Sequence, residues 1–143
     1  MAKIALTALA AAHLAISIAH GSAHTELAVG LSAAQNLFVY VVIVIAPLVA
    51  VGLLWTRHVR LGLSLFVTAF CASLVFGVYY HYVFVSPDNI HHLPTGSAEA
   101  QARFASSAAY LALIELAAAV SGAFVLGRQE ASGNASRLTR LRP

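Results

Sequence analysis

LSAAQNLFVYVVIVIAPLVAVGLLW, residues Leu31–Trp55, runs without a single charged side chain. A helix needs about 20 apolar residues to cross the hydrocarbon core of a bilayer. This stretch meets that length, and it lacks the polar–apolar alternation of a barrel strand. It therefore reads as a transmembrane helix and sets the standard for the rest of the chain. Three further runs share its character, at about residues 4–20, 61–85 and 104–126. The last two are long enough to span. The first is Ala-rich and reaches a full span only if it continues through Gly21 towards His24. Inside lipid every backbone N–H and C=O must be satisfied within the protein, which leaves helix as the form. The expectation is an all-α, polytopic integral membrane protein. Its four-helix transmembrane bundle occupies residues 1–127, and a basic, mobile cytoplasmic tail occupies 128–143.

Composition argues the same way. Hydrophobic residues make up 60% of the 143 and charged residues 9%, against about 45–50% and about 25% in a typical soluble domain. A soluble fold of this size has no interior large enough to hide so much apolar surface. Cys71 is the single cysteine, so an intrachain disulfide is excluded. It is expected as a small buried packing residue.

Charge placement assigns the sides. Lys3, Arg57, Arg60, Arg128, Arg137, Arg140 and Arg142 all fall on one face of a four-crossing chain, and Arg103 alone falls on the other, with Glu26, Asp88 and Glu99. By the positive-inside rule both termini are cytoplasmic. The Ala-rich, compact chain suits a prokaryotic plasma membrane. Trp55 at the inner end of the second span, and Tyr79, Tyr80 and Tyr82 near the outer end of the third, occupy interface depths. Pro47 is expected to kink the second helix. Gly52, Gly62, Gly77 and Gly122 are expected to let helices approach closely.

The first run admits a second reading. Lys3 followed by an apolar core and Gly21-Ser22-Ala23 resembles a secretory signal, and cleavage after Ala23 would leave His24 as a new N-terminus. Histidines inside the run argue for its retention as a helix.

Six of the seven histidines lie in or beyond the outer half of the membrane, while His58 sits in the inner loop with Arg57 and Arg60. His13, His20 and His24 are spaced seven and four residues apart. At about 100° per residue they fall within about 40° of one another on one helix face. His81 ends the third run, and His91 and His92 follow in the outer loop near Asp88. Imidazole is a good ligand for zinc and copper, and a carboxylate completes many such sites. His20, His24, His81, His91 and His92 are therefore candidate metal ligands, with Glu26 and Asp88 in reserve. Deeper in the membrane, Glu115 is the one acidic residue. Buried ionisable groups find partners, and His13 matches it in depth, so the two form a candidate intramembrane pair and cofactor-contacting site.

No Gly-rich phosphate loop, nucleophile elbow or metalloprotease HExxH appears, and the basic tail is too short to argue nucleic-acid binding. Neither a nucleotide nor a nucleic acid is an expected partner, and the chain is not expected to be an enzyme on its own. The first expectation is an accessory subunit of a larger membrane complex, such as a metal-dependent oxidase or monooxygenase. The alternatives are a stand-alone copper- or zinc-binding membrane protein and a haem b electron carrier with His13 or His20 opposite His81.

Overall fold

The structure, a computed structural model, describes residues 1–140, with side chains described through residue 132. Every regular element among the described residues is a helix. We label the helices α1 (Ala2–Glu26), α2 (Ala33–Leu54), α3 (Val59–Val83) and α4 (Ala98–Arg140). All four are long and apolar enough to cross a membrane. The expected starts and ends shift by a turn or so. α1 does continue through Gly21, reaching Glu26, and α4 starts at Ala98 because Ser97 Oγ accepts from the Ala100 N–H at 3.1 Å, the side-chain cap that opens many helices. α4 also runs past Leu126 into the segment expected as a tail. Residues 141–143 of that segment lie outside the described residues.

Lipid gives no hydrophobic drive for one apolar helix to join another, so close packing and polar contacts must hold the bundle. Leu6, Ala10, Ala50, Leu54, Leu63, Phe66, Phe70 and Ala118 form a core at the end of the bundle that carries the N-terminus. Two glycines make this packing possible. A Cβ at Gly62 would stand 2.9 Å from the Leu54 backbone N, and one at Gly122 would stand 2.9 Å from Val67 Cγ2. Both distances are too short for real atoms, so α3 meets the backbone of α2 at Gly62, and the Val67 and Phe66 side chains of α3 pack directly onto α4 at Gly122. Gly52 was expected to serve the same purpose but faces open space. Cys71 likewise departs from expectation, since it is exposed rather than buried. It points away from the packed face carried by Phe66, Phe70 and Ser73.

α2 and α3 each contain a π-helical stretch. In α2 it spans Val39–Ile45 and leads into Pro47. Proline supplies no N–H and its ring crowds the carbonyl four residues back. The wider turn takes up that mismatch. In α3 the stretch is Tyr79–Val83, just before the helix stops at Phe84 in extended conformation. The extra residue per turn holds back the helix rotation, so His81 stays buried on the same face as Ser73. Between Ala33 and Ile45, α2 buries none of its residues in the chain.

Candidate metal centre

Three histidines meet at the end of the bundle where α1 and α3 finish and α4 begins. One ligating atom each from His20, His24 and His81 lies within 4.8 Å of the others. The one-turn spacing of His20 and His24 aims both rings the same way, and their Nε2 atoms stand 3.1 Å apart. Phe104 of α4 packs against all three imidazoles, with ring centroids 4.7, 4.8 and 5.5 Å from His20, His24 and His81. Ala23, Leu27, Val29 and Ala100 bury the surroundings of that ring.

The loop 84–97 brings the fourth group. It folds back over the end of α3 through the Ile90 N–H to His81 O bond (3.0 Å) and the Asn89 Nδ2–H to Phe84 O bond (3.2 Å). Asp88 is thereby buried to 4% exposure, with Oδ1 3.2 Å from His81 Nδ1 and 3.3 Å from His24 Nε2. Neither approach lies along a hydrogen-bond axis, so Oδ1 is a buried oxygen with no hydrogen-bond partner. Burial alone raises the Asp88 carboxyl. The close approach of His81, and the charge that His81, His24 and His20 carry when protonated, outweigh it and hold the group below the ordinary carboxylate range.

Hydrogen-bond partners fix which ring nitrogen carries the proton. His81 Nδ1 faces the Asp88 backbone carbonyl at 3.0 Å, and His24 Nδ1 faces the Val29 carbonyl at 3.3 Å. A carbonyl only accepts, so both Nδ1 atoms donate. His20 Nδ1 lies 2.8 Å from Ser107 Oγ, whose own proton goes to the Arg103 carbonyl at 2.7 Å. That hydroxyl therefore accepts, and His20 Nδ1 donates as well. All three imidazoles then present Nε2 as a bare lone pair. Two such lone pairs at 3.1 Å, beside an unpartnered carboxylate oxygen, repel one another unless a positive species lies between them. Backbone and hydroxyl acceptors holding Nδ1–H are the outer-shell arrangement that orients histidines on metal ions.

Two of the spacings suit a tetrahedral ion, while the widest among the three histidines, up to 4.8 Å, would have to close on binding. Metal–ligand bonds of about 2.0–2.1 Å place tetrahedral ligands about 3.3–3.4 Å apart. The His20–His24 and His24–Asp88 separations are 3.1 and 3.3 Å. A set of three imidazoles and one carboxylate is borderline in softness, which fits zinc or copper.

A strained turn supports the site. Ala28 adopts φ 52°, a left-handed conformation that usually falls to glycine. The Val29 N–H returns to His24 O at 2.9 Å and the Ala28 N–H to Thr25 O at 3.2 Å, closing α1. This turn delivers the Val29 carbonyl to His24 Nδ1.

His91 and His92 are not brought to this centre; both are exposed. Asp88 and Asn89 take the inward positions of that turn, and the His92 N–H to Asn89 O bond (2.8 Å) leaves the two rings outside. Glu26 is also elsewhere, bound to Arg103 at 2.9 Å on the surface. A haem between His20 and His81 does not fit, because their rings touch edge to face with centroids 4.8 Å apart and leave no slot for a macrocycle. Ser107, Phe104 and the Val29 carbonyl have no sequence signature; only packing reveals them.

Deeper in the bundle, His13 Nε2 lies 3.1 Å from Glu115 Oε1, with both side chains buried. Phe70 closes the pair edge-on, its centroid 5.0 Å from that of His13. This contact ties α1 to α4. No protein-family model matches this chain, and no curated protein and no solved structure matches it, so its reading rests on this geometry.

Proposed function

We propose that this membrane protein binds one zinc or copper ion through His20, His24 and His81, with Asp88 as the fourth ligand. One observation carries the reading: a ligating nitrogen from each of His20, His24 and His81 lies within 4.8 Å of the others, beside a buried Asp88 oxygen with no hydrogen-bond partner. The resident ion would supply Lewis acidity or, for copper, electron transfer. The chain's residues hold it, fix the imidazole tautomers and keep the surroundings apolar. Lys3, Arg57, Arg60 and Arg128 lie at the opposite end of the bundle from the ion. That asymmetry supports a site at the outer face of a prokaryotic plasma membrane, with both termini in the cytoplasm.

The test is elemental analysis with an absorption spectrum, on full-length protein purified gently from its membrane. The expected result is close to one zinc or copper per chain, lost on combined His20→Ala and His81→Ala substitution. A wild-type chain that takes up neither metal at micromolar concentration overturns the proposal. The length of α2 between Ala33 and Ile45, which has no fully buried residue, supports a second level of organisation, in which the chain is an accessory subunit carrying its ion within a larger complex. Co-purification of a stoichiometric membrane partner in mild detergent is the expected sign. Migration as a lone chain under those conditions removes that second reading and leaves the first.

A further inference from the structure

A cavity of about 750 Å³, with His20, His24, His81 and Asp88 in its outer wall, descends from them along α1 beside α2. Its volume falls in the range of small-molecule sites, about 300–1,000 Å³. Leu14, Ile18, Val39, Ile43 and Val44 give it mainly apolar walls. On one side its wall is the length of α2 that has no fully buried residue.

The deep wall is polar. Ser17 Oγ and Ser73 Oγ are both buried without a hydrogen-bond partner, and Ser73 is 0% exposed. Glu115 lines the same wall, with Oε1 engaged by His13. Serine in a helix can return its hydroxyl to the carbonyl of the preceding turn, and Ser107 and Thr7 both do so. Ser17 and Ser73 do not, and both residues line the cavity. A buried hydroxyl without a partner costs free energy that a polar occupant would recover. Ser17 stands nine residues from the end of α1, about 14 Å along the helix axis, which is near mid-membrane depth. A charged phospholipid headgroup belongs at the interface and is not stable there. A neutral head is.

We propose that this cavity binds a membrane-soluble molecule with an apolar body and a single hydroxyl head, the head hydrogen-bonding Ser17 and Ser73 beside Glu115 and the body lying along α2. The cavity shares a wall with the proposed metal ligands, but Ser17 and Ser73 are not among them. Gly77 supplies a way to close it: a Cβ there would meet only Glu115 Oε2 at 3.8 Å and His81 Cδ2 at 3.9 Å, ordinary contacts, so a larger side chain enters the cavity without striking backbone.

The experiment uses full-length protein in its membrane, labelled with a long-chain alcohol carrying a photoreactive diazirine, then peptide mapping. Metal content is measured on each sample, so that loss of the ion and loss of this site are told apart. The expected result is saturable labelling of α1 and α2 residues around the cavity, competed by decanol about five- to ten-fold better than by decane, the difference one buried hydrogen bond makes. Combined Ser17→Ala and Ser73→Ala should erase that preference while leaving metal content unchanged, and Gly77→Val should reduce cavity labelling itself. Three outcomes overturn the proposal: labelling spread over the exposed lipid-facing residues without saturation, equal competition by decanol and decane in the wild type, or an alcohol preference that survives loss of both hydroxyls. The last two leave water as the partner of Ser17 and Ser73.

Discussion

Replacing Ser107 by alanine should weaken metal binding without touching any ligand. The Ser107 hydroxyl lies 2.8 Å from His20 Nδ1 and is the acceptor that keeps the ring proton there. Ser107 is 6% exposed, so water does not replace the hydroxyl. In Ser107→Ala, the metal-binding form of His20 keeps a buried N–H with no partner, at a cost of about 1–3 kcal/mol. The ring can escape by moving its proton to Nε2, which removes the ligand. Loss of such outer-shell partners typically lowers metal affinity about 10–100-fold, or about 1.4–2.7 kcal/mol. Folding should not suffer, because alanine is the better helix former and the lost contacts of Ser107 besides His20 are only to its own helix. The assay is competition with a chromophoric chelator on detergent-purified protein, with thermal unfolding of the apo form as the control. Ser107→Thr restores an acceptor and should recover most of the affinity. An unchanged affinity in Ser107→Ala with a normal unfolding curve would refute the tautomer argument and, with it, the case for three convergent Nε2 lone pairs.

Other substitutions test the packing and the limits of the centre. His13→Ala leaves Glu115 buried without its partner, and unfolding in detergent should report a loss of about 1–3 kcal/mol; His13→Leu combined with Glu115→Leu should recover part of it. Gly62→Ala puts a methyl 2.9 Å from the Leu54 backbone N, so α2 and α3 must part, at a cost of about 1–3 kcal/mol in the same assay. Gly52→Ala, facing open space, should be neutral or slightly stabilising. His91→Ala combined with His92→Ala should leave metal affinity within about two-fold on chelator titration, because neither ring reaches the site. Acidification should release the ion, since the imidazoles must be deprotonated to bind it and protons compete for Nε2 as pH falls; retention of metal in acid would point to a different ligand set.

Much of this molecule is legible in its sequence. Uninterrupted runs such as Leu31–Trp55 determined that the chain is helical and membrane-spanning, because lipid admits so few backbone solutions. The spacing of His13, His20 and His24 put them on one face, and depth alone paired His13 with Glu115. What the sequence left open was which of the outer histidines meet. His91 and His92 follow Asp88 closely along the chain, yet the loop buries Asp88 and Asn89 and turns the two imidazoles outward. His81, from another helix, takes the place beside Asp88 because a π-helical stretch keeps it on the buried face of α3. Ser107 lies 87 residues from the ring it orients, and Ser17 and Ser73 come together only as walls of one cavity. Local spacing fixes the face of a single helix. Convergence of side chains from α1, α3, α4 and the loop 84–97 depends on the order and rotation of the packed helices, which small residues such as Gly62 and Gly122 decide through contacts that only the folded bundle makes.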